Sequence, residues 1–305
     1  MNNERIEICM GVDTSLLLSN YEFKKVSELL KNDELYSNKL IKNECVKSTD
    51  NMYRIITKYG NSFIIHGESS ILLYKNSIKS VIKTKVCEIP SNNNDLSIYN
   101  AAIEFPSSNL PIQPYLFGFL LRIRSTNRRF LRFGNFVKIF IISSIRKLKL
   151  KYFVFKDYIL VVISSRVLKK FIRNDSIPNI YKKNSISNRL ELVAGIIDSE
   201  SSLDPNNKFI EIKGLKKNVC KDLYYVLTSL GLNLTHRYNF MDKWIINLYG
   251  SDKLSKIPVL VKKWNIETST PNYFKIIKID VKEAILLEIE KTNLHSIITN
   301  DFFFL

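Results

Sequence analysis

The residues best suited to chemistry stand where an apolar helical run ends in acid. From Arg189 to Ser201 the chain reads Arg-Leu-Glu-Leu-Val-Ala-Gly-Ile-Ile-Asp-Ser-Glu-Ser, with small Ala194 and Gly195 on one face and Asp198 and Glu200 at its end. Small residues at helical spacing let a second backbone come close. A carboxylate at a helix end can sit beside a scissile phosphate, with a divalent cation bridging it to the oxygens. The same run also reads as an ordinary amphipathic helix that happens to end in acids. The second reactive residue type is cysteine. Cys9, Cys45, Cys87 and Cys220 lie far apart with no CxxC pair, so neither a disulfide framework nor a zinc knuckle is indicated. One of them can be a nucleophile, and a small buried hydrophobe is the other reading of each.

The elements that must position these groups follow from periodicity. From Cys9 to about Glu88, short β-type runs alternate with polar turns: Ser15–Leu18, Tyr53–Thr57, Ser62–Ile65 and Ile71–Tyr74. Polar breaks at 90–95 and 105–109, with Pro111 and Pro114 behind them, predict a new domain beginning near Pro111. There Pro114–Leu121 reads as helix, followed by a basic, aromatic and β-branched stretch through Val162. Helix is predicted again over Arg189–Ser199, strand over Phe209–Ile212, helix over Val219–Leu230 capped by Gly231, and strand over Trp244–Tyr249. Helix, strands, helix thus recurs as a weak internal duplication between 111 and 262. Short β-type runs return from Tyr273 to the end.

The acidic helix and its approach, Ile177-Pro178-Asn179-Ile180-Tyr181-Lys182-Lys183-Asn184-Ser185, closely resemble the second LAGLIDADG motif of intein-encoded and yeast mating-type-switching endonucleases. The resemblance implies that Glu200 is the metal-binding catalytic acid, that Asp198 is structural, and that Gly118, Ala194 and Gly195 form the interface of two paired helices. Tyr115–Ser125 is similar to the first motif in its hydrophobic half. It then departs: Arg122-Ile123-Arg124 stands where the family has Gly-Asp-Gly, so Ile123 replaces the first catalytic acid. Cutting both strands needs an acid from each half, so double-strand cleavage is expected to be impaired and nicking or binding to remain. The family's strands form saddles along the DNA major groove. The candidate DNA contacts are therefore Arg128, Arg129 and Arg132 in the first half and Lys213, Lys216, Lys217, Arg237 and Lys243 in the second. Taken singly, each reads first as a solvated surface charge.

Around this unit, Cys9-Met-Gly-Val-Asp-Thr14-Ser15-Leu16 resembles the first residues of an intein, which would make Cys9 the splicing nucleophile that forms a thioester. The element that activates the first peptide bond, Thr-x-x-His in the family, falls on His66 and Ser69 here, out of register. Near the end, Leu294–Leu305 is similar to the closing intein strand, with His295 matching a recurring histidine. The His-Asn that should follow is not in the sequence, so complete self-splicing is not expected. The fold implied is α+β: an all-β Hint splicing domain of residues 1–105 and 265–305, interrupted over 111–262 by a pseudo-twofold LAGLIDADG endonuclease domain of two αββαββ-type halves.

Composition agrees with that reading without requiring it. At 305 residues the chain exceeds a usual single domain. A formal charge of +17 attracts polyanions, nucleic acid first and an anionic membrane second. Richness in Lys, Asn and Ile fits an AT-biased coding sequence, which raises the basic count by itself. No apolar run reaches the roughly 18 to 20 residues that span a bilayer, and the start lacks signal-peptide order. The expectation is an intracellular, soluble monomer, nuclear if eukaryotic, acting on double-stranded DNA with Mg2+ and no small-molecule cofactor. A non-cleaving, sequence-specific DNA binder and an inert intein remnant are the two rivals.

Overall fold

Long-range strand pairing dominates the first unit and a pair of packed helices the second. The computed structural model describes residues 4–30, 33–36, 38–57, 62–90, 95–100, 102–126, 130–134, 142, 145–146, 150–162, 176–204, 206, 208–239, 243–250, 253–261, 274–291 and 298–299. One unit comprises Met1–Ala101 with Thr270–Leu305, the other Ala102–Ser269. The fold is α+β and mostly sheet. No helix among the described residues is long and apolar enough to cross a membrane.

In the first unit β1 (Glu4–Gly11), β2 (Ser15–Leu17), β3 (Phe23–Lys25), β4 (Glu34–Leu35), β5 (Asn38–Thr57), β6 (Ser62–His66), β7 (Ser70–Lys75), β8 (Ser80–Lys85) and β9 (Leu96–Ile98) are joined by the late strand β17 (Phe274–Lys291). The main sheet runs β17-β1-β6-β5-β4, and β17 also pairs with β5. The ladder therefore closes through β17, β1, β6 and β5 and leaves none of these four as a bare edge along its paired length. Met10, Ile55, Ile65 and Leu287, each fully buried, fill the interior. A smaller sheet, β8-β7-β9, carries Ile71 and Leu73 inward on alternate residues.

Two corrections to the sequence reading come from this sheet. β17 is one continuous 18-residue strand and β5 one 20-residue strand, where short runs are expected. Each has the other as partner along nearly its whole length, so backbone hydrogen bonds carry polar stretches such as Lys47-Ser48-Thr49 that have no β-type side-chain pattern. Asp50 and Asn51 together oppose Asp280 in a β-bulge. Asn51 adopts φ 67°, a left-handed conformation that asparagine tolerates.

The second unit packs α1 (Pro114–Thr126), α2 (Ile186–Glu200) and α3 (Lys217–Ser229) against two sheets. The first sheet is β10 (Phe130–Gly134), β12 (Tyr158–Val162) and β11 (Lys151–Val154), in the order β10-β12-β11. The second is β13 (Ser201–Leu203), β14 (Phe209–Leu215), β16 (Lys243–Tyr249) and β15 (Leu234–Asn239), in the order β13-β14-β16-β15. Helix α3 buries Val219, Cys220, Leu223, Val226 and Leu227 at i, i+4 and i+7 spacing. It stops where Gly231 takes φ 69°, which lets Leu232 N reach Leu227 O at 3.1 Å.

The division between the units falls before Ile103, earlier than the prolines suggest. Ile103 and Phe105 are buried in the second unit, with Ile103 N bonded to Ser229 O at 2.9 Å. The buried guanidinium of Arg189 holds this segment. Nε donates to Asn184 O at 2.8 Å, Nη1 to Ser229 Oγ and Nη2 to Ile103 O, and the group lies 4.4 Å over the Phe105 ring.

Candidate active site

Helix α2 begins at Ser185, whose side chain accepts Asn188 N at 3.4 Å, an N-cap that fixes where the helix starts. Its apolar face, Leu192, Val193, Ile196 and Ile197, is buried against α1. Close approach comes from two glycines. A Cβ on Gly118 would fall inside the carbonyl oxygen of Leu192 and 3.1 Å from Ile196 N. A Cβ on Gly195 would overlap the carbonyl oxygen of Tyr115 and lie 2.9 Å from Phe119 N. Ala194, also fully buried, is the small neighbour of this crossing.

The contacts are reciprocal, and they set a register. Matching Gly118 with Gly195 matches Tyr115 with Leu192 and Phe119 with Ile196, as a local twofold axis requires. Continued toward the helix ends, it matches Leu121 with Asp198 and Ile123 with Glu200. Glu200 is the last residue of α2, and Ile123 lies in the last turn of α1. The side chains of both lie outside the described residues.

Asp198 is 4% exposed. Its Oδ2 accepts Tyr115 OH at 2.9 Å, Leu260 N at 2.7 Å and Val261 N at 3.2 Å. Burial, then the Asp198 carboxylate, pushes the Tyr115 phenol well above the usual tyrosine range. This carboxylate ties α1, α2 and the segment after β16 together, and its geometry is that of a strut. Tyr115 was not singled out in the sequence. The available signal was a buried aspartate at a helix end, which needs donors.

By sequence position Glu200 is the carboxylate that this helix end would offer to a divalent cation. Mg2+ is commonly held by one or two carboxylates together with substrate phosphates. Asp198 accepts its donors through Oδ2, and the twofold mate of Glu200 is isoleucine. Among the described residues no three His, Cys, Asp or Glu side chains converge.

The basic residues fall in different places. On the second sheet Lys213 extends beyond β14's regular pairing, is exposed, and bridges Glu211 at 2.6 Å. Arg237 and Lys243 belong to β15 and β16 by backbone position, and Arg132 to β10. Their side chains lie outside the described residues, as do Arg128 and Arg129 entirely. Lys216 and Lys217 are exposed at the start of α3, off the strands, because β14 ends at Leu215 and the chain turns directly into helix. Lys253, before the short turn Leu254–Lys256, is mostly buried. Burial, with a smaller push from Lys256, lowers its ammonium to about 8.

In the first unit Cys9 is half-buried in the middle of β1, paired with Leu286 of β17, so strand structure precedes it as well as follows it. His66 closes β6, and its Nδ1 accepts Glu68 N at 3.3 Å. The thiol of exposed Cys87 donates to Glu68 Oε1 at 3.6 Å, and slight desolvation and then that carboxylate hold it above the usual thiol range. Burial pushes the Cys220 thiol up to about 12. Both are poor nucleophiles in these settings. His295 lies outside the described residues.

Among solved structures the chain is similar to the homing endonuclease I-DmoI. A complex of that protein with DNA and Mn is 14% identical, with 50% of this chain and 99% of that chain covered and a TM-score of 0.34. A structure of its mesophilic variants is 14% identical, covering 48% and 91% at a TM-score of 0.34. The gp41-1 intein is 14% identical, covering 30% of this chain and 67% of that chain at a TM-score of 0.23. No protein-family model matches the sequence, and no curated protein matches it significantly.

Proposed function

We propose that the second unit is a LAGLIDADG-type homing endonuclease domain that binds double-stranded DNA at a specific site and, with Mg2+, cuts at most one strand. The reciprocal crossing of Gly118 and Gly195 carries this reading, because its register sets Ile123 opposite Glu200. Two such helices present their ends to a bound duplex, and each end serves one strand. Glu200 would hold a metal ion against one phosphate, where the ion supplies charge neutralisation and a more acidic water. Isoleucine has no oxygen to offer the other strand. Lys213, with Arg237 and Lys243 by strand position, supplies positive charge along the second sheet.

The first unit is proposed as a vestigial Hint domain. Cys9 holds the nucleophile position inside a paired strand, and a histidine in the expected register is replaced by the His66 and Ser69 arrangement. Slow thioester formation at Cys9 is the most it would retain.

A preferred duplex selected from a random library, cloned into a supercoiled plasmid and incubated with the full chain and Mg2+ tests the reading. Nicked circles without linear product, lost in Glu200→Gln while the DNA mobility shift persists, are expected. Linear product from the wild type would overturn the one-strand assignment. A mobility shift with no nicking would leave a DNA-binding protein without nuclease activity.

A further inference from the structure

The two sheets of the second unit are related in layout and opposite in the chemistry of their open faces. In the second sheet Ile210, Ile212, Ile246 and Leu248 point to the helices. The alternate residues Ser202, Phe209, Glu211, Thr235, Ile245, Asn247 and Tyr249 share the other face by register and are mostly polar, with exposed Lys213 in the bulge of β14 beside them. Thr235 Oγ1 and Tyr249 OH are 3.3 Å apart, and Asn247 Oδ1 has no hydrogen-bond partner. In the first sheet Tyr152, Ile159 and Val161 face the helices. Its other face carries Lys151, Phe153, Phe155, Tyr158, Leu160 and Val162, five of them apolar or aromatic. Phe153 is 55% exposed and Phe155 43%, and Phe155 stacks on Tyr158 with centroids 4.5 Å apart.

A face built mostly of hydrocarbon has few groups with which to read base edges. It would leave the donors and acceptors of a G·C pair stripped of water and unpaired, at a cost. The one apolar group displayed in the major groove is the thymine C5-methyl, for which phenylalanine is a suitable contact. We propose that the β11–β12 face packs on thymine methyl groups, so that the DNA site has one half read by polar contacts and one half selected for A·T pairs through their methyls. This rests on the DNA-binding reading above.

Charge favours DNA over a second copy of the chain as the occupant. Exposed Lys151 and Lys156 flank the aromatic residues, and Arg132 lies opposite Leu160 in register. Self-association would bring this basic rim against itself, within a chain of net charge +17. A polyanion relieves the same charges.

The test uses the duplex recovered by selection with the full chain, remade with deoxyuridine for thymidine in one half at a time. Deoxyuridine removes the methyl and leaves pairing intact. Affinity should fall about fourfold per contacted methyl, the effect of losing one buried methylene-sized contact, in one half only. Phe153→Ser with Phe155→Ser, both exposed positions, should weaken binding to thymidine DNA and abolish the difference. Lys213→Ala should weaken binding and keep the difference. Equal affinity for both DNAs, or a methyl dependence that survives the Phe153→Ser, Phe155→Ser variant, overturns the proposal while leaving DNA binding intact. Absence of any selected duplex overturns DNA binding itself. A dimer in sedimentation that Phe153→Ser dissociates assigns the face to self-association and also overturns it.

Discussion

Gly118 and Gly195 each leave open the space that the other helix's backbone occupies: the first lies against the carbonyl of Leu192, the second against the carbonyl of Tyr115. The helices can cross at this distance only because neither residue has a Cβ. Gly118→Ala and Gly195→Ala therefore force backbone apart rather than a flexible side chain, and each should cost about 1–3 kcal/mol or more. Urea unfolding should give a lower midpoint for either variant. A Gly195→Ala protein with unchanged midpoint would mean that the helices do not meet there.

Asp198 accepts from three donors through one carboxylate oxygen. Asp198→Ala leaves Tyr115 OH, Leu260 N and Val261 N without this partner. Tyr115 is the buried donor of the three and costs about 1–3 kcal/mol when left unpaired, while Leu260 is half-buried and Val261 exposed, so a loss of about 2–3 kcal/mol is expected. Tyr115→Phe removes one donor cleanly and should cost about 1 kcal/mol. A double-mutant cycle on the two should show coupling, since Tyr115→Phe has nothing further to lose once the carboxylate is gone.

Much of this site is legible in sequence because its constraints are local. Small residues at helical spacing, an acid at a helix end and Gly231 after α3 each leave a one-dimensional mark. The Asp198 strut does not, because Leu260 and Val261 contribute backbone N–H groups, to which side-chain identity is blind. The same holds for β5 and β17. Their polar middles look like turns until a partner more than two hundred residues away supplies the ladder. The open face of the first sheet was also hidden, since alternation in Lys151–Val162 is recognisable only when both faces carry different chemistry, and here both are largely apolar.

Lys253 gives the structure a pH signature. Burial holds its folded-state value near 8, below the ordinary 10.5. Below about pH 8 the lysine is charged in both states and its burial costs stability in full. Between 8 and 10.5 the unfolded chain binds the proton that the folded chain has released, so this cost fades as pH rises. Lys253→Met should be more stable than the wild type by on the order of 1–3 kcal/mol at pH 7, with the gap closing by about pH 10. A gap independent of pH would mean that the ammonium is solvated.

Arg189 is a buried cation held by carbonyl and hydroxyl oxygens and stacked on Phe105. Lysine cannot match that planar set of donors, so Arg189→Lys should destabilise nearly as much as Arg189→Met. Each should cost about 3–5 kcal/mol, the range for breaking a buried charged network. Limited proteolysis should then cut near Ile103 first, because that segment is fastened to α2 and α3 through this side chain. Cleavage elsewhere, with residues 102–105 still protected, would show that Phe105 packing suffices alone.

Ile123 is the position from which the missing chemistry can be restored. If the twofold register extends to the helix ends, Ile123→Glu places a second carboxylate at the site related to Glu200. The variant should convert a nicked plasmid product into linear DNA in Mg2+, and Glu200→Gln in that background should return it to nicking of the other strand. Circular dichroism would establish that the variant folds. Strand-specific labelling of the cut site supplies the decisive reading: the wild type and the doubly substituted protein should nick opposite strands. Nicking of the same strand by both would mean that Glu200 is not the acid that assigns a strand.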